Sequence, residues 1–227
     1  MFIKLNKVET SFVKVLAFAA LKNRNAERKT SDIINTFMRL RQLSNHPKMI
    51  DSKSEIDSGK YIAVTRYLET LVQSNKKTIV FSSFVSNLNF YKTWCKEKKI
   101  DFCELTGETP MKERELQVNR FQEKEKPLLF FISLKAGGVG LNITKASYIV
   151  FLDPWWNPAA EAQAIDRAHR IGQKKTVFTY KFISKETVEE KILSLQQRKL
   201  DLANELVTSD ESILRNLSED EVLDLLS

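Results

Sequence analysis

The run Asp153-Pro-Trp-Trp-Asn-Pro-Ala-Ala-Glu-Ala-Gln-Ala-Ile-Asp-Arg-Ala-His-Arg-Ile-Gly-Gln173 carries the side chains best suited to grip an anion. Gln163, Arg167 and Arg170 stand at i, i+4 and i+7, so a helix over 158–170 projects all three from one face. Two guanidinium forks and an amide on one face match phosphate oxygens, because each fork offers parallel N–H donors at the spacing those oxygens require. Spacing alone leaves open a second reading, in which the arginines pair with Glu161 or Asp166. His169 lies between them, but the chain holds only one other histidine, His46, and no nucleophile stands in the run. It reads as a hydrogen-bonded structural residue.

A second stretch, Phe131-Ile-Ser-Leu-Lys-Ala-Gly-Gly-Val-Gly-Leu-Asn-Ile-Thr144, gathers Gly137, Gly138 and Gly140 out of only six glycines in the chain. Glycines directly after a strand let backbone amides approach an anion with no Cβ in the way. No Gly-Lys-Ser/Thr follows, so this is not a Walker A loop. Ile143 stands where a dinucleotide fingerprint needs its third glycine. A tight structural turn and a phosphate site remain equal readings of the loop by itself.

These two stretches need a scaffold, and the hydrophobic pattern supplies one. Residues 10–22, 31–45 and Tyr61–Val72 have helical spacing, with Pro47 closing the second helix and a polar linker over Asp51–Gly59. From Lys77 onward short apolar runs alternate with helices. Strands are expected at Thr78–Phe81, Asp101–Leu105, Leu128–Ser133, Tyr148–Leu152 and Thr176–Ile183. Helices are expected at Val85–Lys98, Pro110–Gln122, Pro158–Arg170 and Thr187–Leu206. Thr109 is the expected N-cap of the second of these, with Pro110 at its first position, and Thr187 and Glu190 form a capping-box pair. Strands that are apolar throughout and separated by helices imply an α/β fold, a parallel sheet with helices on both faces. N-terminal and C-terminal helical elements flank it. Such sheets place function beyond the C-terminal ends of their strands, here after Phe81, Leu105, Ser133 and Leu152.

Composition narrows the class. The 227 residues are 42% hydrophobic and 29% charged, which excludes a disordered chain and leaves room for one good core. Cys95 and Cys103 lack a partner motif and read as reduced thiols. No apolar run approaches the ~20 residues that cross a bilayer, and no signal-peptide pattern is present, so an intracellular protein with no membrane partner is expected. The net charge of +7 is uneven: the body is basic and the tail 208–227 is acidic and leucine-bearing. A basic body suggests a polyanionic partner, against the alternative of a lysine-rich solvated surface.

Together the two stretches resemble motifs V and VI of the SWI/SNF family of DNA-dependent ATPases in helicase superfamily two. Lys77-Thr-Ile-Val-Phe-Ser-Ser-Phe84 resembles motif IV, and Leu105-Thr-Gly-Glu-Thr109 the short motif after it. Asn45-His-Pro47 resembles the family's Cys-Asn-His-Pro element, with Ser44 in place of the cysteine, and the likeness continues through Thr187-Val-Glu-Glu-Lys-Ile192. The resemblance implies a C-terminal RecA-like lobe over 59–207, a helical segment and linker over 1–58, and an acidic tail over 208–227.

It also implies a division of labour. Family members bind ATP between two lobes, the first holding the Walker lysine, Mg2+ and an acidic box; neither signature occurs in this sequence. The chain is therefore expected to be part of a longer protein running to its natural C-terminus, with Met1 internal or added, and to be inactive alone as an ATPase. By the resemblance, Arg167 and Arg170 are arginine fingers. Gly138, Gly140, Asp153 and Gln163 join them at the nucleotide. Ser82, Ser83, Thr106, Gly107, Ser133, Lys135, Asn142, Trp155 and Trp156 face double-stranded DNA. The first lobe is the other expected partner, and no metal site is expected in this chain. The alternatives are an RNA or strand-separating helicase lobe, or a non-catalytic docking module supported by the acidic tail.

Overall fold

The computed structural model describes residues 1–4, 30–136, 143–166, 173 and 175–202. The helix expected over 10–22, the glycines at 137–140, Asn142, Arg167, Arg170 and the tail 208–227 lie outside the described residues. The chain divides into two compact units. One holds Met1, Ile62–Trp155 and Ala159–Phe182; the other holds Phe2–Tyr61, Trp156–Pro158 and the described residues from Ile183. This division groups the described chain after Phe182 with the N-terminal segment.

The first unit is a five-stranded parallel sheet. Its strands are β2 (Thr78–Ser82), β3 (Phe102–Leu105), β4 (Leu129–Ser133), β5 (Tyr148–Phe151) and β6 (Phe178–Lys181), in the order β3-β4-β2-β5-β6. β2 and β4 are buried at every position, which only a sheet covered on both faces allows. Alternate residues divide between those faces. Ile79, Phe81, Cys103, Leu105, Phe130, Ile132, Ile149 and Phe151 form one core. Val118 and Phe121 of helix α4 (Met111–Glu123), Ala164 of α5 (Pro158–Asp166) and Trp155 complete it. The opposite-facing Val80, Phe131 and Val150 are equally enclosed, and helix α3 (Val85–Glu97) packs on β2 and β4.

Helix ends set where the strands begin. Helix α2 (Gly59–Gln73) starts on Ser58, whose Oγ accepts from the Tyr61 amide, 3.1 Å. It stops where Asn75 takes φ 54°, with Asn75 N donating to Val72 O and Lys76 N to Leu71 O. This Schellman pattern turns the chain straight into β2. α3 ends identically, with Lys99 at φ 55° and Ile100 N bonded to Cys95 O.

The second unit contains α1 (Thr30–Asn45), a 3-10 turn at Pro47–Met49, a parallel pair of β1 (Phe2–Lys4) with β7 (Ile183–Lys185), and α6 (Val188–Leu202). A fully buried ion pair organises it: Lys60 Nζ lies 2.6 Å from both Glu189 carboxylate oxygens, and Ser184 N donates to Glu189, 2.8 Å. The Ser184 hydroxyl reaches Ser44 O, 2.9 Å.

Three expectations need correction. The strand expected over Thr176–Ile183 is two strands, because Phe178–Lys181 pairs with β5 whereas Ile183–Lys185 pairs with β1, and Ser184 is claimed by Glu189 and Ser44. Thr109 does not cap α4: Pro110 occupies the cap position, and Thr109 Oγ1 instead accepts from Thr106 N, 2.9 Å. The Thr187 and Glu190 pair is offset from a regular capping box. Thr187 Oγ1 accepts from Glu189 N, and Glu190 reaches back to Glu186 N.

Candidate nucleic-acid interface at the strand ends

Strand register decides which loop residues meet. Ser82 pairs with Ser133 and Leu105 with Ile132, so Thr106, Ser133 and Ser82 stand abreast at the ends of β3, β4 and β2. Neighbouring strands lie about 4.8 Å apart, so the three hydroxyl residues span roughly 10 Å. Phe81 pairs with Phe151, which brings Leu152 and Asp153 alongside Ser82. Four loops from distant parts of the chain converge on one edge of the sheet.

Asp153 is the hinge pin of this edge. Its side chain is 1% exposed. It accepts from Ser82 Oγ at 2.5 Å, and both of its oxygens lie 3.2 Å from Ser83 N. Ser82 Oγ in turn accepts from Phe84 N at 3.1 Å, with Asn87 Nδ2 at 3.4 Å. Ser82 is thus fully enclosed with its hydroxyl engaged, whereas Ser83 is half-buried at the surface.

The next loop is held as tightly. Glu108 N donates to Thr106 Oγ1, 3.3 Å, and Thr109 N to Thr106 O, 3.2 Å. Arg114 Nε donates to Thr109 O at 2.9 Å, and its Nη2 lies 3.4 Å from both Thr106 O and Gly107 O. Arg114 lies outside every motif read from the sequence, although its position one turn into α4 brings it back over the loop. Gly107 is exposed with open space where a Cβ would stand. Ser133 is buried, its Oγ accepting from Ala136 N, and Lys135 is exposed beside it.

Beyond Asp153 the chain turns inward. Trp155 joins the sheet core and Trp156 packs in the second unit. There its ring centroid lies 4.4 Å from that of Phe37, and Arg41 Cζ lies 4.9 Å above it. Both indoles are nine-tenths buried or more. Trp155 N donates to Glu161 Oε1, 2.7 Å, and Glu161 Oε2 pairs with Lys181. Glu161 thus ties the Trp155 amide and Lys181 to this helix. Gln163 is exposed on α5.

The Asn-His-Pro element serves the second unit's packing. Asn45 Nδ2 donates to Arg41 O, and His46 Nδ1 accepts from Lys48 N to start the 3-10 turn. Burial, with Lys48 nearby, pushes the His46 imidazole down to about 4, Asp57 opposing in part. Cys95 and Cys103 are free, buried thiols that burial raises to about 12 and about 11. Among the described residues no three His, Cys, Asp or Glu side chains gather as a metal ion would need, and no helix is long and apolar enough to cross a membrane.

Residues 59–172 match the helicase conserved C-terminal domain family. An uncharacterised ATP-dependent helicase of Mycoplasma genitalium is 34% identical over 194 residues, 86% of this chain and 19% of that protein. Human SWI/SNF-related matrix-associated actin-dependent regulator of chromatin subfamily A member 1 is 31% identical over 209 residues, 86% of this chain and 20% of its own. The chain thus spans about a fifth of the length of these curated relatives. Among solved structures, the SWI2/SNF2 ATPase C-terminal domain of Sulfolobus solfataricus superposes with a TM-score of 0.80 at 26% identity, covering 99% of this chain and 95% of that one. The core of that archaeal ATPase in complex with dsDNA gives 0.80 at 26% identity, over 98% and 49%.

Proposed function

We propose, from the premise that this chain belongs to the helicase conserved C-terminal domain family and to its SWI/SNF ATPases, that it is the C-terminal motor lobe of an ATP-dependent double-stranded DNA translocase. The observation that carries the reading is the row of Thr106, Ser133 and Ser82 across three adjacent parallel strand ends, with Ser83, Gly107 and Lys135 at the surface beside it. Amides, hydroxyls and one ammonium suit a reader of phosphates that is indifferent to base sequence. The archaeal relative solved with dsDNA supports duplex DNA as the ligand.

Each residue has a role in this reading. Ser83, Gly107, Lys135 and Asn142 meet the DNA backbone, and the buried Thr106 and Ser133 stand directly beneath them. Ser82 and Asp153 hold Ser83 in place from behind, and Arg114 does the same for Thr106 and Gly107. Trp155 and Trp156 act as packed supports. Trp155 is two residues from Asp153, and Glu161 anchors its amide to α5. That helix bears Gln163 and leads to Arg167 and Arg170, so a short covalent and hydrogen-bonded path joins the DNA side to the nucleotide side.

ATP, bound against a first lobe that also carries Mg2+, supplies the phosphoryl transfer that drives movement. Gln163 is exposed on its helix and free of burial constraints for such a role. Arg167 and Arg170 would neutralise charge on the γ-phosphate, and Gly138 and Gly140 would let backbone approach the nucleotide. Fingers of this kind raise turnover by roughly 10³–10⁵ in other phosphoryl-transfer enzymes.

The test uses the 227-residue chain and a longer protein that includes the first lobe. The longer protein should hydrolyse ATP only with duplex DNA, and Arg170→Ala should abolish turnover. The short chain should bind a labelled duplex weakly, with steep salt dependence, and turn over no ATP. ATP turnover by the short chain that Arg170→Ala removes would overturn the two-lobe reading. Equal stimulation by RNA would overturn the choice of ligand.

A further inference from the structure

The end of the sheet opposite the strand-end row carries a second concentration of positive charge. Thr78, Tyr148 and Phe178 stand abreast where β2, β5 and β6 begin. The segments entering these strands bring Lys76, Lys145 and Lys175 to one edge, each two or three residues upstream of its strand. They line a hollow of about 530 Å³. All three lysines are exposed, and among the described residues none is in an ion pair. Glu125 is the one acidic residue lining the hollow.

A fourth cation is built into its wall. Lys77 Nζ donates to the carbonyls of Phe121, Lys124 and Pro127, and sits 4.6 Å from the centre of the Phe121 ring. Burial lowers its proton affinity, and the nearby charge of Lys145 adds to that. Lys76 is fixed in position too, because its amide closes the Schellman turn at the end of α2.

Beside the lysines is an aromatic platform. Phe178 lies on the edge strand and is 46% exposed, so part of its ring is open to a ligand at this edge. It stacks on Tyr148 with centroids 5.3 Å apart and planes at 27°, and Tyr148 continues onto Tyr180 at 6.3 Å and 9°. An open ring face next to unpaired ammonium groups is the pairing that holds an unstacked base together with its phosphates. Three lysines spread over three strands span roughly 10 Å, a length in which one nucleic-acid strand presents about three phosphates. An acidic peptide would satisfy the lysines but leave the ring without a flat partner.

We infer that this hollow binds single-stranded nucleic acid, one base stacking on Phe178 and the adjoining phosphates meeting Lys76, Lys145 and Lys175. The site lies at the opposite end of the strands from the duplex-facing row and does not depend on that assignment. In a translocase it would hold a single-stranded flank of the duplex.

The test is fluorescence anisotropy of the 227-residue chain with a labelled oligothymidylate of about 15 nucleotides and, separately, a labelled duplex. Phe178→Ala should weaken the oligothymidylate by about 5- to 150-fold, the span of stacking losses for one base. Phe178→Trp should restore it. Lys76→Gln/Lys145→Gln/Lys175→Gln should lower the magnitude of the logarithmic salt slope for the single strand by about 2. None of these variants should change duplex affinity, whereas Lys135→Gln should weaken only the duplex. Loss of the Lys135 effect alone would count against the strand-end reading and leave this one standing. Absent single-strand binding, an unchanged affinity in Phe178→Ala, or polyglutamate or free thymidine monophosphate competing as well as the oligonucleotide would overturn it.

Discussion

Replacing Asp153 tests the arrangement of the strand ends directly. Its carboxylate is buried and takes a 2.5 Å bond from Ser82 Oγ and two 3.2 Å contacts from Ser83 N. Hydrogen bonds to a charged group contribute about 1.5–3 kcal/mol each, so removing the acceptor for two donors costs about 3–6 kcal/mol gross. Ser82 Oγ keeps Phe84 N and Asn87 Nδ2, and water can reach the half-buried Ser83 amide. These partners reduce the net loss for Asp153→Ala to about 2–4 kcal/mol; Asp153→Asn, which keeps one acceptor oxygen, should lose about 1–2 kcal/mol. Urea unfolding with an unchanged m-value measures both. A double-mutant cycle with Ser82→Ala should give a coupling of at least about 1 kcal/mol. Duplex affinity should fall in parallel, because the Ser83 amide loses its fixed direction. If Asp153 were instead a nucleotide contact, Asp153→Asn would leave stability and duplex affinity unchanged. A loss below about 0.5 kcal/mol, or additivity with Ser82→Ala, would refute the positioning role.

Two further outcomes concern the second unit. Lys60→Met should destabilise the chain by about 3–5 kcal/mol, since it leaves the Glu189 carboxylate buried without its cation. Lys60→Met/Glu189→Gln should recover much of that, because glutamine still accepts from Ser184 N; a double variant no better than the single one in urea melts would contradict this. His46 is held near 4 when folded against 6.5 otherwise, so between these values the unfolded chain binds the extra proton. Stability should therefore be flat above about pH 7 and fall as pH drops through that window, by at most about 1.4 kcal/mol per pH unit. His46→Gln should remove that part of the slope in chemical melts across pH 4–7, and an unchanged slope would exclude the histidine as its source.

The sheet was legible because its strands are buried on both faces. Thr78–Ser82 and Leu129–Ser133 need apolar or small side chains at every position, a local pattern that sequence displays directly. Amphipathic helices announced themselves by period for the same reason, and α1 and α2 differ from their expected bounds by one or two residues. What local pattern could not show are bonds between residues far apart in the chain. Asp153 meets Ser82 across 71 positions and Lys60 meets Glu189 across 129. Asp153 was expected at the nucleotide and Glu189 stands at a helix start, and neither position shows locally the partner it meets. The break at Phe182 was hidden in a similar way, since an apolar run reads as one strand whether it pairs with one sheet or two.

The same contrast bears on how a motor lobe of this kind can work. In the proposed duplex-reading surface the donors must be fixed in direction, yet Ser83, Thr106 and Gly107 lie on loops, which are otherwise the freest parts of a fold. Here each loop is tied down by a side chain from another element, Asp153 from the end of β5 and Arg114 from α4. Asp153 is also two residues from Trp155, whose amide is clamped by Glu161 of the helix leading to the arginines. A shift of that helix on meeting nucleotide would thus be felt first at the Trp155 amide and next at Asp153. From there it would reach Ser83 through the Asp153 carboxylate. Coupling of this form requires the support residues, not the DNA-facing ones, to carry the signal. Glu161→Gln should therefore lower DNA-stimulated turnover in the two-lobe protein more than it lowers duplex affinity, and equal losses in both would place the coupling elsewhere.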